Sequence, residues 1–400
     1  MKIIQDMNKC VGCSACYAVC PVDAISMKLS EEGFLEPEVN DDKCIKCKKC
    51  IDICRTNTTV KNAESSNIFL AINKELEIVK ESSSGGVFSA IAKEFINDEK
   101  GVVIGAAFTS DNELKHIEVS RVEELYKLRK SKYIQSDISE IFFRIDYNLK
   151  KNTKVLFTGT PCQVAAVKNV FKNNNLLFTC DIICHAVQSP GVFRTIIKNL
   201  EKKYNSKIKS INFRSKINGW TKPTTIITFD NNKKYMKYTG ESCIGIGLVK
   251  NYATRKCCET CEYCTTNRAG DLTLGDFWKA KYEANKQYIK KYGDIGFSTV
   301  LVNSEKGKEL FNNILNNLIY EEKTIEDAIT NNGPLYRPVK QSELRKEFFN
   351  DYNNLNFEVF EKKWLKLSFK EVIKSRIISL IYKTRINKIY RLIKRCRDYI

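Results

Sequence analysis

The chain has 400 residues, 43% of them hydrophobic, and carries 66 Lys and Arg against 47 Asp and Glu, a formal charge of +19. That length exceeds one small module and points to a compact N-terminal unit followed by a larger domain with enough apolar residues for its own core. No apolar run approaches the roughly 20 residues of a membrane span, and residues 1–9 lack the apolar stretch of a signal peptide. The expectation is therefore a cytoplasmic protein whose 17 cysteines serve metals and redox chemistry rather than disulfides.

The first segment holds one spacing twice: Cys10-x2-Cys13-x2-Cys16-x3-Cys20-Pro21, then Cys44-x2-Cys47-x2-Cys50-x3-Cys54. Three thiolates at two-residue intervals wrap one iron-sulfur cube while the fourth reaches the neighbouring cube. This assigns Cys10, Cys13, Cys16 and Cys54 to a first [4Fe-4S] cluster, and Cys44, Cys47, Cys50 and Cys20 to a second. Zinc knuckles or disulfides have a different arithmetic. Residues 1–60 thus resemble a bacterial-type ferredoxin, departing from it in Arg55, which stands where the second copy would carry proline.

A polar linker, 61–67, leads to a large domain expected over 68–360, beginning with a strand at Ile68–Ile72. Ser82-Ser83-Ser84-Gly85-Gly86 then turns into an apolar-periodic helix, Val87–Ile96. Backbone amides at such a helix start can hold a phosphate, and the same Ser-rich turn serves equally as a plain cap. Gly101–Phe108 reads as a buried strand, followed by the polar stretch Arg129–Ser136. At Val155–Cys162 another strand runs into a helix whose first turn accepts Pro161. Cys162 then sits at a helix N-terminus, where the dipole favours thiolate; it is a metal ligand, a redox thiol or a buried structural cysteine.

The strand Leu176–Ile183 ends in Cys184-His185, with His185 a ligand, an acid-base group or a hydrogen-bonding residue. Thr225–Phe229 adds a strand, and Cys257-Cys258-x2-Cys261-x2-Cys264 follows, then Gly270–Trp278. A Cys-x2-Cys pair supplies half of a metal site, and Cys162 and Cys184, each past the carboxyl end of a strand, can supply the rest. The same set suits a small zinc site. Over residues 361–400 the chain turns basic, with thirteen Lys and Arg against two acids from Lys362 to Ile400. Phe369, Ile373, Ile377, Ile381, Ile389 and Ile393 recur there at near-helical spacing. A basic amphipathic helix of this kind packs on its own domain or lies on an anionic membrane face. It carries no nucleic-acid motif, and no nucleic acid is expected as partner.

Ser83–Phe88, Lys132–Ser136, Gly159–Gln163, Cys184-His185, Phe213–Lys216 with Gly219-Trp220, and Asp271–Trp278 resemble, in order, the coenzyme F420 hydrogenase/dehydrogenase beta-subunit family, out to about Phe349. The resemblance implies an α+β fold: the ferredoxin module, a mixed α/β flavin-binding domain and the basic C-terminal helix. It implies FAD, with Ser84, Gly85 and Gly86 in its binding loop and Lys132 beside it. It also implies a third [4Fe-4S] cluster on Cys162, Cys184, Cys258 and Cys261, while Cys257 and Cys264 are extra to the family pattern and leave the choice within that group open.

A flavin takes a hydride, two electrons at once, and releases electrons singly, whereas each cube carries one. The implied activity is a flavin-dependent, ferredoxin-linked oxidoreductase, in which no side chain stands out as acid or base. The Cys-His, Phe-Arg-Ser-Lys and Gly-Asp-Phe-Trp variants look more like the bacterial branch associated with polysaccharide gene clusters, which implies a sugar or polysaccharide precursor rather than coenzyme F420 as substrate. The partner is then a ferredoxin or a partner enzyme subunit, and the location is the cytoplasm, with the basic tail making peripheral contact at the inner face of the membrane. The alternatives are an electron-transfer subunit without its own substrate, a coenzyme F420-dependent dehydrogenase subunit, and a surface-binding protein with structural clusters.

Overall fold

The computed structural model describes residues 2–55, 67–97, 99–172, 174–282, 287–368 and 370–373. The expected linker, apart from Asn67, and most of the basic tail, including Phe369, Ile377, Ile381, Ile389 and Ile393, lie outside the described residues.

In the N-terminal module β1 (Ile25–Leu29) and β2 (Leu35–Val39) pair antiparallel. A single helical turn belongs to each cysteine copy, Ala15–Ala18 and Lys49–Asp52. The rest of the chain supplies β3 (Asn67–Asn73), β4 (Val102–Phe108), β5 (Leu114–Val119), β6 (Val155–Gly159) and β7 (Leu177–Ile182). Then come β8 (Ile208–Ser215), β9 (Thr224–Phe229), β10 (Lys234–Tyr238), β11 (Leu272–Asp276), β12 (Ser298–Val302) and β13 (Leu318–Lys323). Strands β8, β9 and β10 form a small antiparallel sheet; the other eight form one large sheet in the order β13-β3-β12-β11-β7-β6-β4-β5.

Within it β4, β6, β7 and β11 run parallel, so their carboxyl ends share one edge, where sites gather in such sheets. The central strands are buried over most of their length because both faces are covered. Alternate residues separate the two faces. Val103, Leu156 and Phe178 pack with Ala90, Ile91 and Phe95 of the helix Val87–Asn97, whereas Ile104, Val155 and Phe157 pack with Val164 and Val167 of the helix Pro161–Val170.

The module shares these cores. Ala15 is buried in the second of them, and Phe34 is buried with Phe193, Phe348 and Phe349 in a third. Fully burying a phenylalanine contributes about 2–3 kcal/mol, so Phe34 fastens the module to the domain. Among the described residues no helix is long and apolar enough to cross a membrane.

Candidate functional site

The two cysteine copies adopt the same unusual backbone. Gly12 and Lys46 have φ of 64° and 57°, and Ser14 and Lys48 have 58° and 63°. Left-handed residues on either side of Cys13 and of Cys47 turn successive N–H groups inward, which makes a concavity suited to an anion. The Gly12 N–H donates to Cys10 Sγ at 3.4 Å and the Ala24 N–H to Cys20 Sγ at 3.2 Å, contacts that suit charged sulfur. Burial pushes the Cys13 thiol up to about 12, with Cys10, Cys162 and Cys54 adding repulsion, and Cys16 is raised by burial and then by Cys13, Cys10 and Cys54.

The expected first ligand set therefore stands together, with the buried Ser14 Oγ lacking a hydrogen-bond partner among the described residues. Cys20, Cys44, Cys47 and Cys50, the second set, line one cavity with Ala24 and Val39. Among the described residues no three Cys, His, Asp or Glu side chains converge on one point. Convergence is what a single zinc needs; in a cube each thiolate holds a different iron. In donor type, grouping and backbone, both sites fit [4Fe-4S] clusters.

The third cysteine group lies at the carboxyl edge of the large sheet. Gln163 Oε1 accepts from the Thr160 N–H and caps the helix Pro161–Val170, while Thr160 Oγ1 lies 3.1 Å from Cys162 Sγ. Desolvation pushes the Cys162 thiol up to about 12, with Cys261 and Cys257 adding to it. The expected thiolate at this helix terminus is thus not stable as a free group: loss of hydration outweighs the dipole, and ionisation there needs a metal's charge. Cys184 follows β7 and is raised by burial, then by Cys162 and Cys261.

Cys257 lies against Cys258 and Arg255, and Cys264 against Cys261. The Cys258 side chain packs with Ala186, Leu248 and Val339 in an apolar cluster. The structure thus gathers Cys162, Cys184, Cys257 and Cys261, with Cys264 beside the last. His185 is exposed, its Nε2 2.8 Å from Asn251 Oδ1, which is the hydrogen-bonding alternative.

The glycine turn sits farther along the same edge, beside β3 and β12. Asn73 donates its N–H to Gly85 O, and the Gly85 N–H donates to Ser298 Oγ at 2.9 Å. A Cβ on Gly85 would stand 2.4 Å from Ala71 O, so the glycine is required by the protein's own backbone. Ser84 Oγ donates to Phe297 O at 2.6 Å, and Gly86 has φ of 81°. Lys132 Nζ donates to the carbonyls of Leu128, Arg129 and Lys130, and burial lowers it to about 7.

Arg129 donates to Ser89 Oγ, and the Ser131 N–H to Ser83 Oγ. Lys216, also lowered to about 7 by burial, donates to Ser84 O and Val79 O at 2.6 Å each. Asp276 accepts from Arg214 and from Trp220 Nε1, both at 2.7 Å, and Trp220 stacks on Trp278. Of the cations around this helix start, Lys132 and Lys216 are taken up by backbone carbonyls, which leaves Arg129 and Lys130 as the ones suited to an anion.

The seam between module and domain holds residues to which the sequence assigned no role. Gln135 Oε1 accepts from the Leu35 N–H at 3.1 Å and from Arg255 Nη1 at 2.9 Å. Arg345 pairs with Glu32, and Gly191 N–H donates to Gly33 O at 2.9 Å. Arg55, the departure from proline, is buried and donates to Tyr263 Oη at 2.9 Å, inside the Cys261–Cys264 loop. His116, buried under Gly159, donates to Thr158 O through Nε2, leaves Nδ1 without a hydrogen-bond partner among the described residues, and is lowered to about 4 by burial. With only two histidines in the chain, no pattern marked it.

Residues 9–58 match the 4Fe-4S dicluster domain family, and residues 152–328 match the family described as the C terminus of the coenzyme F420 hydrogenase/dehydrogenase beta subunit. An uncharacterised protein of Methanocaldococcus jannaschii is 25% identical over 204 residues, which make up 43% of this chain and 55% of that protein. The F(420)H(2) dehydrogenase of Methanosarcina mazei has a subunit that is 22% identical over 322 residues, 74% of this chain and 84% of its own length. A chain of the F420-reducing [NiFe] hydrogenase complex from Methanosarcina barkeri superimposes with a TM-score of 0.44 at 16% identity, covering 76% of this chain and 94% of its own.

Proposed function

The chain belongs to the coenzyme F420 hydrogenase/dehydrogenase beta-subunit family, joined to a ferredoxin module, and from that premise we propose that it is an iron-sulfur flavoprotein oxidoreductase coupling hydride transfer to single-electron transfer. The observation that carries this reading is the adjacency of Cys13 to Cys162: the first ferredoxin site adjoins the third cysteine group across the seam. The first and second clusters take the ligand sets named above. The third takes Cys162, Cys184 and Cys261, with Cys257 or Cys258, whose thiols lie against each other, as the fourth.

FAD bound at the Ser84–Gly86 loop supplies the exchange between a two-electron hydride and single electrons. Around it the chain's residues have separate tasks. Arg129 and Lys130 neutralise phosphate charge, Lys132 and Lys216 hold the loop through its backbone carbonyls, and Asp276 braces the corner through Arg214 and Trp220. Thr160 and Gln163 hold the turn that presents Cys162. The reducible substrate proposed is a sugar or polysaccharide precursor, supported by the Cys184-His185 and Phe213–Lys216 variants; coenzyme F420 is the alternative that the methanogen relative suggests.

The exposure of Cys47 favours a second reading, an electron-transfer subunit that delivers electrons to a partner enzyme. Anaerobic purification with iron, sulfide, zinc and flavin analysis tests the cofactor set: about twelve irons and one FAD per chain are expected from three cubes. About eight irons with zinc and no flavin would sink it. Turnover of substrate by the isolated chain with a reduced ferredoxin separates the enzyme from the electron-transfer subunit.

A further inference from the structure

Arg255 is a cation in an expensive place. It is 3% exposed. Its Nε donates to Cys10 O at 2.7 Å, its Nη1 to Leu35 O at 3.1 Å and to Gln135 Oε1, and its guanidinium lies 5.2 Å over the Phe34 ring. Cys10, Leu35 and Phe34 belong to the ferredoxin module, whereas Arg255 itself precedes Cys257 by two residues and lies against that thiol. Glu36 Oε1 is 3.7 Å from Nη2, beyond hydrogen-bond distance, and Nη2 has no hydrogen-bond partner among the described residues. A buried charge without a bonded counter-charge costs several kcal/mol. The groups around this one are the thiols of Cys10, Cys257 and Cys258, which become anionic when they hold iron.

We propose that Arg255 is a positioning residue of the electron path, tying the Cys10 side of the seam to the Cys257 side and raising the reduction potentials of the first and third clusters with its charge. A fixed cation beside a cluster favours the state with one more electron, and in a water-poor seam the effect is not screened away. Glu36, on the far side of the guanidinium, opposes it. Among the described residues no hydrogen bond or ion pair joins Arg255 to Cys20, Cys44, Cys47 or Cys50, so the second cluster serves as an internal reference. The inference rests on the cluster assignment proposed above.

The test is a redox titration of the full-length protein under anaerobic conditions, followed by electron paramagnetic resonance, for the unaltered chain, Arg255→Met, Arg255→Lys and Glu36→Gln. Arg255→Met is expected to lower the first and third midpoints by at least 59 mV, the equivalent of a tenfold change in the reduced-to-oxidised ratio of a one-electron couple, with the second unmoved. Arg255→Lys should recover most of that shift, and Glu36→Gln should move the first midpoint upward. Arg255→Met protein with its full iron content and three unchanged midpoints overturns the proposal. If Arg255→Met loses iron, Glu36→Gln decides: an upward shift supports the role and an unchanged midpoint overturns it. Iron and flavin counts on the unaltered chain come first, so that a missing third cluster counts against the proposed function while the first cluster still reports on Arg255.

Discussion

The same cysteine spacing occurs twice in this chain, and its two copies have opposite surroundings. In the first, Cys10 and Cys16 are buried, and Gly12 lies under Gln135 and Arg255, whereas the second buries only its last two cysteines, Cys50 and Cys54. In the second, Cys47 is exposed, Ile45 is 61% exposed, and Lys43, Lys46, Lys48 and Lys49 all face solvent. The backbones match at equivalent positions, so the loop conformation follows the ligand spacing, while the side chains between the ligands decide which copy faces the domain. In the proposed electron path the first cube is an interior relay and the second an open end.

The largest effect should come from breaking the buried copy. A Cβ on Gly12 would stand 2.1 Å from Gln135 Nε2 and 2.7 Å from Leu35 O at a φ of 64°. Gly12→Ala should cost about 2–4 kcal/mol from overpacking plus left-handed strain. It should also lose about four irons, one cube's content; an unchanged melting temperature with full iron would refute the seam as the reason for the glycine.

Next is Arg55→Pro, which gives the second copy the residue that follows Cys20 in the first. It removes the bond to Tyr263 Oη and should cost about 1.5–3 kcal/mol, as charged hydrogen bonds do, whereas Tyr263→Phe should cost about 1 kcal/mol. Denaturant titration of both variants measures the difference, and equal losses would mean that Arg55 acts through this bond alone.

A chelator presented to the unaltered protein sharpens the contrast without mutation. Iron should leave the second cube roughly ten times faster than the first, because the exposed end opens locally at lower free energy. Equal rates, followed by the loss of each cluster's spectrum, would abolish the inside-outside distinction. The smallest effect belongs to Lys46→Gly, the counterpart of Gly12 with nothing pressed on it. Relief at a φ of 57° and the added chain entropy of glycine nearly cancel, leaving a change within about 0.5 kcal/mol.

Much of the site was legible where ligands are close in sequence. The repeated spacing predicts the two ferredoxin sets, and both copies adopt the same loop backbone. The strand-to-helix junctions at Val155–Cys162 and before Val87 lie where the apolar patterns and Pro161 put them. The choice between Cys257 and Cys258 was not legible, because these neighbours in the turn Lys256–Thr260 lie against each other and no periodicity ranks them. The dipole argument for Cys162 was sound locally and lost to desolvation. Gly85 read as an opening for a ligand, but its missing side chain answers to Ala71 O.

What the sequence determined by itself is the local chemistry: ligand types, their intervals, the turns that carry them, and the alternation of strand and helix that makes a mixed sheet. Tertiary structure alone decided which ferredoxin copy is interior, which cation stands at the seam and which thiols meet. Those outcomes depend on pairs such as Arg255 with Cys10, Gln135 with Leu35 and Lys216 with Ser84, each 100 or more positions apart. Spacing along a chain encodes what a few flexible bonds can reach; contacts between distant segments exist only after the cores of Phe34, Ala15 and the central strands have packed.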